Sequence, residues 1–212
     1  MDLMNTYDKF KINGLLSVLL LFLSFSSFVS AQEDLFSSIR EESKEIKTEL
    51  LPKRMVFTQR LLWGENGLMR KTQWSPLTIE QREKELKVRR KMLKAHQIIG
   101  FVTLAGMVAQ GVMGTQLYKG DYRYYETHET IGNLTSISYF TGAGLSLFAP
   151  PPLINKKTKG LSSAQAHKYL ATIHFSAMLA TNILAEENKQ LHRAAAFTAF
   201  GSYVAAILVF KF

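Results

Sequence analysis

At 212 residues the chain is long enough for one domain with a short extension. It has no cysteine, which excludes disulfides, thiolate metal sites, iron–sulfur clusters, thiol catalysis and covalent Cys-x-x-Cys-His haem attachment. Hydrophobic residues make up 47%, but they are concentrated beyond residue 96, whereas residues 32–95 are highly charged. That contrast describes a membrane protein with a charged flank rather than an evenly patterned globule. The net charge is +9, and much of the excess lies between Arg82 and Lys94. A basic block beside an apolar span is best matched to anionic lipid headgroups. Nucleic acid is disfavoured because the block runs straight into the apolar stretch.

Residues 1–31 read as a secretory signal. Lys9 and Lys11 precede an apolar run from Leu15 to Val29, and Val29-Ser30-Ala31 offers small residues before a cut. Residues 32–51 carry Leu35, Phe36, Ile39, Ile46 and Leu50 at helical spacing, stopped by Pro52. The stretch 61–76 is turn-rich, with Trp63 and Trp74 bracketing Gly64, Asn66 and Gly67, and suits a compact loop at headgroup level. Thr78 and Gln81 fit the ends of a capping box. The helix that follows carries Glu80/Lys84, Glu83/Lys87 and Glu85/Arg89 at i, i+4, each with the acid on the favourable N-terminal side. This helix is expected to run without a break from water into lipid near residue 93.

Four apolar stretches follow, at 96–118, 128–149, 164–185 and 192–210, each near the 20 residues that cross a bilayer core. Their short connections force antiparallel neighbours. Pro150-Pro151-Pro152 stops the second stretch. The expected fold is all-α, a membrane-embedded up-down four-helix bundle. Residues 1–31 form the signal, 32–93 a helical extension and 94–212 the transmembrane domain.

All five histidines lie between 96 and 192. A histidine in a membrane span is costly and marks a functional hypothesis. Antiparallel order puts His96 and His167 at one face of the membrane, on the first and third helices. It puts His128 and His192 at the other face, on the second and fourth. In a square bundle these are diagonal partners. Two facing imidazoles are the axial set of a low-spin b-type haem. Each of the four has a small residue one turn deeper, Gly100, Ala171, Gly132 and Ala196, on the same helix face where a porphyrin would lie. His174 competes with His167, but it lies about 10 Å deeper and has Met178 at i+4. His167 is therefore the expected ligand, with His174 bonding a haem or a neighbouring helix, or lining the path between the irons. A di-iron or zinc site would want carboxylates at the same depth, and Glu129 points about 100° away from His128 around its helix.

From about 94 to 210 the chain resembles the transmembrane core of the cytochrome b561 family. The resemblance is a pattern: four helices, one histidine on each, with His96 joined to His167 and His128 to His192. It implies two b-type haems and electron transfer across a membrane, from an unidentified donor to an unidentified acceptor. The family's ascorbate-binding basic residues have no individual match here.

The alternative reading is a cofactor-free structural or assembly subunit with a partner in a membrane complex. A transporter or sensor built on histidine protonation fits less well, because the histidines sit near the faces and not along a path. The expected setting is a bacterial inner membrane, with residues 32–93 on its non-cytoplasmic side. The positive-inside rule argues for the reverse orientation, since Lys156, Lys157 and Lys159 join the basic block on that face.

Overall fold

The computed structural model describes residues 50–153 and 162–209. The expected signal, the 32–51 helix up to residue 49 and the lysines at 156, 157 and 159 lie outside the described residues. Among the described residues the secondary structure is entirely helical. Two short helices, α1 (Phe57–Trp63) and α2 (Leu68–Lys71), precede four long ones. These are α3 (Ile79–Tyr118), α4 (Tyr125–Leu147), α5 (Ser163–Ile183) and α6 (Lys189–Leu208). Two of them, α3 and α6, are long and apolar enough to cross a membrane by length and composition.

Each long helix begins at a side chain or turn that meets its unpaired backbone N–H groups. Thr78 Oγ1 accepts from the Gln81 N–H at 3.2 Å and starts α3. The reciprocal half of the expected capping box is not made: the Thr78 N–H donates to the Pro76 carbonyl at 2.9 Å, and the Gln81 amide donates to Ser75 Oγ at 3.0 Å. Ser162 and Gln165 form a full capping box at α5. Asn188 Oδ1 accepts from the Gln190 and Leu191 N–H groups at α6. A turn with Gly120 at φ +93° and a single 3₁₀ turn, Tyr122–Tyr124, link α3 to α4. α4 ends at Leu147, just ahead of the proline run that cannot continue it. As expected, α3 is unbroken across the change from charged to apolar sequence.

The contacts fix the directions. Between α3 and α4, His96 meets Gly142, Thr103 meets Ser138 and Gln110 meets His128, so the two run antiparallel. Between α5 and α6, His167 meets Ala206 and His192 meets Thr181, again antiparallel. The helices of each hairpin pack along their length, and the hairpins meet chiefly where α3 lies against α6. The α3/α4 approach is closest at Gly106, where a Cβ would overlap the Thr135 side chain. Gly106→Val is therefore expected to cost about 1–3 kcal/mol through overpacking, read as a lowered unfolding midpoint in detergent.

The core is small and aromatic: Met107, Tyr139, Met178 and Tyr203 are buried, with Leu104, Phe140, Phe175, Phe200 and Ile207 packed against them. The outside is apolar as well. Ile98, Val102, Val112, Leu134, Ile137, Ile173 and Ile183 are all exposed.

The charged flank does not stand apart from the helices. Thr58 Oγ1 donates to the Leu147 carbonyl and Trp63 Nε1 to the Phe148 carbonyl, holding α1 against the end of α4. The stretch 61–76 is thus partly helical, with Trp63 half-buried and Trp74 exposed. Gly64 and Gly67 are required there, since a Cβ at either would overlap the carbonyls of Arg60 or Leu62. The expected Glu85/Arg89 pair gives way to a different network. Buried Glu85 is bound by Arg70, Arg82 and Ser75, while Arg89 donates to the Pro150 carbonyl at 2.7 Å. Arg82 also donates to the carbonyls of Leu50 and Pro151.

Candidate cofactor site: two histidine couples

The bundle brings four histidines together in two couples. The His96 and His167 ring centroids are 6.5 Å apart with planes at 87°. Those of His128 and His192 are 6.3 Å apart with planes at 77°. The couples join the diagonal helices, α3 with α5 and α4 with α6. Along α4, α5 or α6 the two levels are separated by about fourteen residues, roughly 21 Å of helix.

The spacing discriminates between two ways of joining imidazoles. A direct N–H···N hydrogen bond of about 2.9 Å would bring collinear rings to roughly 5.2 Å between centroids. Two metal–imidazole bonds of about 2.0–2.1 Å in line put them roughly 6.3 Å apart. Both couples lie nearer the second figure, a spacing that edge-to-face ring contacts also span.

Hydrogen bonding then sets the tautomer. His96 Nδ1 donates to the Gly142 carbonyl at 2.8 Å. His167 Nδ1 donates to the Ala206 carbonyl at 2.9 Å, and His192 Nδ1 to the Thr181 carbonyl at 2.8 Å. A carbonyl can only accept, so Nδ1 carries a proton in all three rings, and in the neutral ring that leaves the lone pair on Nε2. This is the protonation state of a metal-ligating imidazole, with its ring oriented and its basicity raised by the acceptor behind it. Each acceptor belongs to the neighbouring helix of the same hairpin, so helix pairing itself aims the rings.

His174 is in neither couple. It shares a 2.6 Å hydrogen bond with the Tyr139 hydroxyl and lies 5.0 Å from the Tyr203 ring, between the two levels. The Tyr203 hydroxyl donates to the Gly100 carbonyl at 3.0 Å. Of the small residues one turn in from the histidines, Ala171 and Ala196 are half-buried. Gly100 and Gly132 are accounted for by protein neighbours. A Cβ at Gly100 would stand 3.3 Å from the Tyr203 hydroxyl, and one at Gly132 would stand 3.4 Å from Gln110 Oε1. The glycines that touch the couples are others. A Cβ at Gly142 would lie 3.8 Å from His96 Nδ1, and one at Gly114 would lie 3.1 Å from His128 Cε1. Neither is at i+4 from a histidine on its own helix, so the spacing rule passed over both.

Gln110 and Asn182 serve as helix-to-helix links, to the His128 carbonyl and to Ser136 respectively. Asn133 is exposed. Among the described residues no group of three or more His, Asp or Glu side chains is close enough to hold a metal by protein ligands alone. Two imidazoles suffice only where the remaining ligands come from elsewhere, and a porphyrin supplies four.

Around the His128/His192 level, aromatic and basic side chains gather at the bundle end. Arg193 lies 4.1 Å over the Tyr118 ring and Lys189 lies 5.8 Å from the Tyr122 ring. Tyr118, Tyr122, Tyr124 and Tyr125 are exposed there.

Comparison of the chain with models of protein families, with curated proteins and with solved structures finds no match.

Proposed function

We propose that the protein is a transmembrane electron carrier that holds two b-type haems, one between His96 and His167 and one between His128 and His192. The single observation behind this reading is the pair of centroid distances, 6.5 and 6.3 Å, between four rings of which three, His96, His167 and His192, turn Nδ1 to a carbonyl. A haem bound there supplies a one-electron iron centre. The residues of the chain do the rest. The four half-buried histidines would hold it, and the carbonyls of Gly142, Ala206 and Thr181 fix the ring angles of His96, His167 and His192. The aromatic core of Tyr139, Phe140, Phe175 and Tyr203 fills the interval between the levels without charge.

The membrane setting rests on the outward apolar faces of all four long helices. A water-soluble bundle would turn polar residues outward on these faces. Here Ile98, Val102 and Val112 on α3, Leu134 and Ile137 on α4, Ile173 and Ile183 on α5, and Phe197 on α6 face out instead. The tyrosines and basic residues at the His128/His192 end suit an interfacial belt. The resemblance to the cytochrome b561 family carries the same fold and ligand pattern.

The test is a pyridine haemochrome assay on the full chain purified in detergent. The expected result is about two b-type haems per polypeptide with low-spin bis-imidazole spectra. A colourless protein that takes up no added haem would leave the cofactor-free assembly subunit as the better reading.

A further inference from the structure

His128 differs from the other three histidines of the couples. Among the described residues its Nδ1 is buried with no hydrogen-bond partner. Gln110 Nε2 donates to the His128 carbonyl at 2.9 Å, which fixes the backbone and leaves the ring unpinned. The neighbour across from the ring is Gly114 of α3. A Cβ there would stand 3.1 Å from Cε1 and 3.7 Å from Nδ1. Glycine thus gives the ring room and offers it no acceptor.

An acceptor behind Nδ1 does two things for a ligating imidazole. It holds the ring angle, and it leaves more negative charge on Nε2, which favours the oxidised metal. From the missing acceptor, and resting on the haem reading above, we infer that the two sites are unequal. The His128/His192 site binds its haem less tightly and has the higher reduction potential. An electron shared by the two sites therefore settles at His128/His192. In that exchange the His96/His167 site is oxidised, the His128/His192 site is reduced by the same electron, and no other reactant takes part. The direction runs from the bundle end that carries Arg82 to Lys94 toward the end that carries the tyrosines.

The experiment is a spectroelectrochemical titration of the full haem-loaded protein, paired with haem loss to an excess of a haem-scavenging apoprotein. Two midpoints are expected, and His128→Ala should remove the more positive one. Haem should leave the His128/His192 site about tenfold faster or more, the scale on which orienting partners alter metal affinity. Gly114→Ser adds a hydroxyl beside Nδ1, and Gly114→Ala adds only bulk. The serine variant should move the positive midpoint downward and slow haem loss relative to the alanine variant, with the other midpoint unmoved. A positive midpoint that survives His128→Ala and disappears in His167→Ala overturns the inference while leaving two haem sites standing. So does a single midpoint with equal release rates. Failure to bind haem at all removes the haem reading itself, and this inference with it.

Discussion

Arg82→Ala is expected to destabilise the protein by about 3–5 kcal/mol, because it strands a buried carboxylate. Arg82 is 1% exposed and Glu85 2% exposed, so neither charge is relieved by solvent. The guanidinium bonds Glu85 and also the carbonyls of Leu50 and Pro151. Its loss therefore unties three chain segments together. At this chain length the shift amounts to a midpoint lowered by roughly 10 °C in thermal unfolding in detergent. Lys91→Ala, on an exposed face of the same helix, should stay within about 0.5 kcal/mol. Similar melting of both variants would show the network to be dispensable. The same cluster gives a pH signature from Glu85, which lies outside the apolar part of α3. Burial pushes its carboxyl upward, but hydrogen bonds from Arg70, Ser75 and Arg82 and the Arg82 charge outweigh burial and hold it below the ordinary 4.5. A carboxyl lowered in the folded state stabilises fully above its unfolded pKa, and the benefit is lost as pH falls through the folded one. Glu85→Gln should flatten that part of the acid limb.

The origin of this network explains part of what the sequence conceals. Local spacing pairs Glu85 with Arg89, one turn on, and the rule is sound for an isolated helix. It fails because α3 is not isolated. Among the described residues no backbone N–H completes the carbonyls of Pro150 and Pro151 after α4, and Arg89 and Arg82 meet them. Glu85 is then left to Arg82, three residues back on the same helix, and to Arg70, fifteen residues back, the second of which no helical repeat reveals. Two of the seven basic residues between 82 and 94, Arg82 and Arg89, are thereby committed to carbonyls. The unbroken course of α3 was legible because it holds no proline and no breaker besides its glycines, and the end of α4 because proline forbids continuation.

The histidine couples were legible for a different reason. Short connections dictate antiparallel order, and order alone sorts residues near helix starts onto two ends. Their depth and diagonal placement followed without knowledge of any side-chain contact. The glycines were harder. A small residue on the histidine's own face, such as Gly100 or Gly132, is occupied by Tyr203 or Gln110 reaching across from another helix. The glycines that matter to the rings, Gly142 and Gly114, lie on the partner helix of the hairpin. Their role depends on interhelical register, which pattern within one helix does not encode. The carbonyl acceptors are invisible in sequence for the same reason, since every residue type carries one.

On the two-haem reading proposed above, His167→Ala should remove one haem, and His174→Ala should remove neither. The two residues are seven apart on one face of α5, so sequence distance alone does not separate them. The structure separates them by partner. His167 stands at 6.5 Å from His96 with its Nδ1 on the Ala206 carbonyl. His174 has its Nδ1 on the Tyr139 hydroxyl, inside the aromatic core. Alanine at 167 takes away an axial nitrogen that no nearby side chain in the couple replaces, and the haem-to-protein ratio should fall from about two to about one. Alanine at 174 leaves both couples intact and deprives the buried Tyr139 hydroxyl of its partner, which costs about 1–3 kcal/mol. That variant should keep its absorbance per polypeptide and unfold earlier. Haemochrome assay and thermal unfolding of the same preparations read both quantities. Loss of a haem in the 174 variant with retention in the 167 variant would hand the axial position to His174. It would also require α5 to sit about two turns displaced from the register that the Ala206 and Thr181 carbonyls define.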